Sequence, residues 1–322
     1  METELKTCTD KTPFPFMKYK WLFMSVSVFF MAMSVYQIAF KGLNFGVDFK
    51  GGNKMIYQFV QDVAIEDVRA SFAKSDVGDV EVLEFGAVVG EHQYLIRSKY
   101  IENVNSEAII TQALKTKFGA EQVTLLSQEL VGPKVGQDMQ WKALKSIVFT
   151  CVLILIYIWV RFDFLFAPGA IIALIHDVLI SAGFFAFFGK EFNLPILAAL
   201  LTILGYSIND TIVIYDRVRE NIARLPKRTT TEELIDVSVT ETMSRTIVTS
   251  LTVLFVVVVL FFIGGGVLHD FAFCLIVGLI FGSYSTVFIA SPFYMFMQRC
   301  FPGRGLKSVV PEEKKRMEKV AV

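Results

Sequence analysis

The chain has 322 residues, 54% of them hydrophobic and 19% charged, and 31 Lys and Arg balance 31 Asp and Glu. With a mean hydropathy of +0.53, this composition excludes a disordered tail, a fibrous repeat and a nucleic-acid binder relying on bulk positive charge. The apolar residues gather in runs long enough to cross a bilayer, so the chain is read as a membrane protein before any motif is considered.

After a short N-terminal tail at 1–20, the first run covers 21–40, about the ~20 residues a spanning helix needs. It ends in Tyr36, Gln37, Ile38, Ala39 and Phe40, without the small-residue cleavage site of a secretory signal, and reads as an uncleaved anchor. Residues 41–141 are of mixed polarity. Strand-like alternation at 54–60, 80–85, 93–99 and 123–130, with helical periods at 65–74 and 106–118, predicts the order βαββαβ and a ferredoxin-like α+β domain between the first two spans. His92 falls in the predicted turn before 93 and has no nucleophile beside it. Gly46, Asp48, Gly51 and Gly52, in GVDFKGG, do not open a helix by pattern and read as a tight turn joining span to domain. Gly132, Pro133 and Gly136 read as a linker on the other side, so the domain has two adjacent attachments about which it can tilt.

Further apolar runs at 143–160, 164–188, 194–215, 246–263 and 271–297 bring the predicted spans to six, with a loop at 216–245 and a C-terminal tail at 298–322. Lys18 and Lys20, then Arg217, Arg219, Arg224 and Arg245, then Arg299 and the basic residues after it, all fall on one side of that count. The positive-inside rule makes that side cytoplasmic, with both termini on it. In the loop, the Thr-rich start before Glu232 and Glu233 has the form of a helix N-terminus. Cys8, Cys151, Cys274 and Cys300 form no disulfide framework and no metal-type spacing, and no cofactor motif or nucleophile and base pair occurs.

Ionisable groups at membrane depth cost on the order of 2.5 to 3.5 kcal/mol each and mark function, pairing or a wet cavity. Thr202, Tyr206, Asn209 and Asp210 share a sector of roughly 100° on the fourth span. Asp210 lies about 9 Å inside its cytoplasmic end, within side-chain reach of the depth of Arg245. From position alone, Arg245 is equally a snorkelling boundary residue. His176 and Asp177, mid-way along the third span, fit either a proton relay or a polar clamp between helices.

Three stretches then carry a resemblance: LNFGVDFKGG at 43–52, GYSINDTIVIYDRVREN at 205–221 and MSRTIVTSLT at 243–252. Through them the chain resembles the SecF family, the smaller subunits of the bacterial SecD and SecF protein-export pair, within the resistance-nodulation-division superfamily. The resemblance implies an inner-membrane subunit incomplete without a SecD-type partner. It further implies a proton-driven complex that acts with the SecYEG channel, SecA and, in the family, YajC and YidC on the exported polypeptide. In that pattern Asp210 and Arg245 take part in proton passage. The rival reading is a half-transporter exporting a lipid or small molecule, which calls for a larger outside domain with an apolar cleft.

Overall fold

A computed structural model describes residues 13–72, 80–85, 92–101, 104–226 and 229–301. The tails at 1–12 and 302–322, with Lys6, Lys11, Cys8 and the basic C-terminal residues, lie outside the described residues, as do Lys74, Lys227 and Arg228. Six helical stretches are long and apolar enough to cross a membrane. In chain order these are α1 (Lys20–Phe40), α5 (Pro133–Arg161), α6 (Ala167–Phe188), α7 (Leu194–Arg224), α8 (Thr231–Ile263), and a last stretch made of α9 (Gly265–Ser285), a π-helical turn (Thr286–Ala290) and α10 (Ser291–Cys300). The apolar windows of α6, α7 and the last stretch are 56%, 50% and 56% buried, against 11% for α1, α5 and α8. The first three are therefore the core of the bundle, and the others wrap it and leave their apolar side chains for lipid.

Between α1 and α5 lies a four-stranded sheet with two helices: β2 (Gly52–Phe59), α3 (Ile65–Ala70), β3 (Val80–Glu84), β4 (His92–Lys99), α4 (Ser106–Phe118) and β5 (Val123–Val131). The strand order is β3-β4-β2-β5 and each neighbouring pair is antiparallel. Alternate residues of β2, namely Met55, Tyr57 and Phe59, point to one face and pack with Val68, Ile110 and Leu114 of the helices. Asn105 caps α4, its side chain accepting from the Ala108 N–H at 3.1 Å.

Four expectations change. The glycine-dense stretch is not a plain turn: β1 (Asn44–Phe45) pairs in parallel with β6 (Glu191–Phe192), and α2 (Val47–Lys50) makes one helical turn after Gly46. His92 does not sit in a turn but begins β4 opposite Phe59, its Nδ1 3.3 Å from the Asp62 carboxylate. The predicted linker shrinks to Gly132, because Pro133 opens α5 directly and Gly136 lies inside that helix.

The loop at 216–245 is mostly helix, leaving only 225–230 between α7 and α8. Thr230 and Glu233 form a reciprocal capping box that starts α8. Val218, Leu234, Ile235 and Val239 are buried in a cluster that includes Met17. Leu234 and its neighbours pack both on α7 and on the N-terminal turn Phe16–Tyr19, so their apolar positions spread round the helix instead of lining one stripe.

Candidate functional site

Two polar clusters lie in the bundle core, and α7 contributes to both. Its N-terminus is set by Asn193, whose side chain accepts from the Ile196 N–H at 3.2 Å, and by Asp48 of α2, which accepts from the Leu194 N–H at 3.0 Å. A carboxylate there suits the positive end of the helix dipole. Asp48, foreseen as a turn residue, thus ties the segment before the sheet to the helix that carries Asp210.

In the first cluster, Asp177 and His176 are fully buried. The Asp177 carboxylate meets His176 Nδ1 at 2.9 Å and accepts from the hydroxyls of Ser207 at 2.6 Å and Ser285 at 2.9 Å. Those three partners come from α6, α7 and α9, so one carboxylate ties together the three core helices. Ser181, one turn on, donates to the Asp177 carbonyl at 2.8 Å. His176 Nε2 has no hydrogen-bond partner among the described residues, and its ring packs against Phe281 and Tyr284, each with its centroid at 6.3 Å. The contacts of this cluster among the described residues link α6, α7 and α9.

Below Ser207 on the same face of α7, Thr211 meets the Thr286 hydroxyl at 3.1 Å and Tyr215 donates to the Ala290 carbonyl at 3.1 Å. Ser207, Thr211 and Tyr215 are spaced four residues apart, so they form one rail of hydroxyls along the last span.

In the second cluster, Asp210 is buried and accepts from Ser250 of α8 over a long 3.5 Å contact, while Ser250 and Ser283 of α9 share a 2.9 Å hydrogen bond. Arg245 is exposed and forms no ion pair with Asp210 among the described residues. The polar sector read from the sequence straddles a boundary. Asp210 faces inward, Tyr206 is half-buried, and Thr202 and Asn209 are exposed. Asp210 thus holds one weak donor, whereas Asp177 holds three close partners, so only the first has room to exchange its hydrogen-bonding state without dismantling the bundle.

At the other end of α7 the sheet is seated on the membrane helices. A Cβ on Gly51 would lie 2.9 Å from the Pro133 backbone, and one on Gly136 2.8 Å from the Phe49 carbonyl. Gly52, at φ 158, would meet the Ser98 carbonyl and Val47. These glycines let α2, β2 and α5 touch backbone to backbone, while Gly132 has open space around it. Arg97 of β4 reaches from the sheet to Glu191 of β6. Sequence reading passed over Arg97, Glu191, Ser207 and Ser285. Ser207 was within reach, since it precedes Asp210 by three residues on a helix already marked as polar. Arg97 and Glu191 gave no signal, because they are 94 positions apart.

A family model described as protein export membrane protein SecD/SecF, C-terminal, matches residues 110–300, and one described as the SecD/SecF GG motif matches 38–63. The protein translocase subunit SecF of Desulfurispirillum indicum is 40% identical over 284 residues, covering 86% of this chain and 89% of the relative. That of Cereibacter sphaeroides is 38% identical over 305 residues, covering 92% and 93%. Among solved structures, SecDF of a Thermus species, described as a translocon-associated membrane protein, superimposes with a TM-score of 0.76 at 31% identity. The match covers 89% of this chain and 39% of that longer one. On sequence and on fold, the chain belongs to the SecD/SecF family of protein export membrane proteins.

Proposed function

We propose that this chain is a SecF-type subunit of an inner-membrane protein-export complex, and that it couples proton movement through its helices to displacement of its sheet domain during late steps of export. It performs no covalent chemistry of its own. The sheet, with its split βαββαβ order, is read as a ferredoxin-like domain on the outer side, with both termini in the cytoplasm. Residues 41–132 are assigned to that domain, and α1 together with the helices from Pro133 onward to the membrane part. A SecD-type subunit is the partner that covers Thr202, Asn209 and Arg245, whose exposure at membrane depth is costly against lipid. SecYEG, SecA, YajC and YidC are the wider assembly in which the exported polypeptide is handled.

One observation carries the proposal: Asp210 is buried in the membrane core, weakly held, and adjacent to that exposed polar strip. Tyr206, Asn209 and Arg245 line its approach. His176 and Asp177 hold the bundle in shape around the path and carry no proton along it. A proton moving down 100 mV releases about 2.3 kcal/mol, comparable with the gap between two conformations of a mobile domain. Protonating Asp210 alters its contact with Ser250, shifts α7 against α8, and reaches the sheet through Asp48 at the start of α7. In vesicles with the export machinery, Asp210→Asn is expected to insert and co-purify with its partner normally while abolishing stimulation of export by a proton gradient. Undiminished stimulation would overturn the proposal.

A further inference from the structure

Two carboxylates converge on one buried guanidinium where the sheet meets the membrane helices. Arg97 of β4 is 5% exposed. Its Nη1 donates to Glu81 of β3 at 3.1 Å and to Glu191 of β6. Glu81 and Arg97 belong to the sheet, whereas Glu191 belongs to the short connection between α6 and α7. One guanidinium neutralises one carboxylate. A second carboxylate crowded beside the buried Glu191 disfavours its charged form.

Gly46 leaves room for the Glu191 side chain to reach Arg97. Its φ of −75 suits any residue, so backbone conformation does not call for glycine there. A Cβ at that position would instead lie 2.8 Å from both the carboxyl carbon and Oε1 of Glu191, pushing the side chain off Arg97. A cavity of about 440 Å³, lined also by Lys50, Arg69 and Lys99, opens beside the three groups and gives water a route to them.

The groups facing Glu191 are Arg97 from β4, Glu81 from β3 and Asp48 from α2, with the cavity's three other cations around them. Lys190, the neighbour in the chain, is taken by Asp270 at 2.5 Å. Burial pushes the Glu191 carboxyl up to about 8; Arg97 pulls it back, and Glu81 and Asp48 add to the rise.

We propose that Glu81, Arg97 and Glu191 form a proton-binding fastening between the sheet and the membrane helices, closed when Glu191 is protonated and loosened when it is ionised. The site stands apart from Asp210, lies beyond the start of α7, and works without a gradient. Because the closed form has the higher affinity for the proton, the fastening is complete below the ordinary carboxyl range near 4.5 and is lost as pH rises through about 8. One proton is linked to opening, so the ratio of closed to open falls by up to tenfold per pH unit inside that window.

Hydrogen exchange on the full chain in lipid nanodiscs, from pH 5 to 9 and corrected for intrinsic rates, reads this directly. The reporter is the β1–β6 pair, where the Gly46 N–H donates to the Phe192 carbonyl at 2.8 Å. Protection of that pair is expected to fall with pH up to tenfold per unit between about 5 and 8, while the centre of the β2–β4 pair stays flat. Glu191→Gln is expected to abolish the slope and keep protection high at every pH. A flat wild-type profile, the same slope in Glu191→Gln, or an equal slope at β2–β4 would each overturn the proposal. The wild-type series needs no variant to fold, and none of these readings depends on export or on Asp210.

Discussion

Removing the Asp177 carboxylate tests whether the inner cluster is a clamp. In Asp177→Ala the Ser207 hydroxyl loses its acceptor and His176 Nδ1 loses its partner, while Ser285 keeps a second acceptor, the Gly282 carbonyl at 3.0 Å. Two buried polar groups are orphaned at about 1–3 kcal/mol each, so the variant is expected to lose about 2–6 kcal/mol. Asp177→Asn presents an acceptor oxygen to the serines and an N–H₂ to a neutral His176 tautomer, and is expected to recover more than half of that loss. Unfolding of the purified protein in mixed micelles measures both, and gradient-stimulated export measured alongside separates structure from proton flow. A stable Asp177→Ala, within about 1 kcal/mol of the parent, would refute the clamp. So would a fully stable Asp177→Asn that had lost gradient stimulation alone, since that pattern belongs to a relay.

Gly183 faces the side chain and Cα of Ser34 across the crossing of α1 and α6. Gly183→Val is expected to force the two helices apart at about 1–3 kcal/mol, seen as a lower melting temperature in detergent. Thr230→Ala removes one arm of the α8 capping box and is expected to cost about 0.5–2 kcal/mol, with Thr230→Ser close to neutral in the same unfolding assay. Gly136→Val pushes α5 against the Phe49 carbonyl and the Gly51 N–H, both 2.8 Å from its added Cβ. The sheet is then expected to lift from its seat, exposing Gly132 to limited proteolysis while the helix bundle survives.

The spans and the sheet were legible for different reasons. Apolar runs of membrane length declare themselves singly, and the alternation at 54–60 and 123–130 marks strands because one face of each packs on α3 and α4. What escaped lay between elements. The charged residues after Tyr215 resembled a loop, yet Arg217 pairs with Glu220 and Glu241 at 2.5 and 2.6 Å, and Asn221 meets Ser238 at 3.0 Å, so two helices simply continue past the apolar runs side by side. At the candidate site, burial cost alone marked His176, Asp177 and Asp210 as groups needing an account. It did not say that serines from two other helices would supply one for Asp177 and leave Asp210 a single long hydrogen bond. Arg245, placed near Asp210 by depth, is close enough for its charge to act on that carboxylate but is exposed and makes no ion pair with it among the described residues, because depth along a helix does not fix azimuth on its neighbour.

The π-helical turn at Thr286–Ala290 directly precedes Ser291 and Pro292. A proline ring collides with the carbonyl four residues back and offers it no N–H, and widening the helix by one residue relieves both. The Ser291 hydroxyl reaches the Thr286 carbonyl at 3.0 Å, and Tyr215 serves Ala290. The final span therefore carries one residue beyond what its rise requires, parked where side chains have already accepted the surplus. Shortening the helix by one residue anywhere else would turn everything downstream by roughly 100°. At this bulge the same deletion would leave both halves facing as they do now but would bring the Pro292 ring back against the carbonyl four residues before it, so the extra residue is what lets a proline sit inside this span.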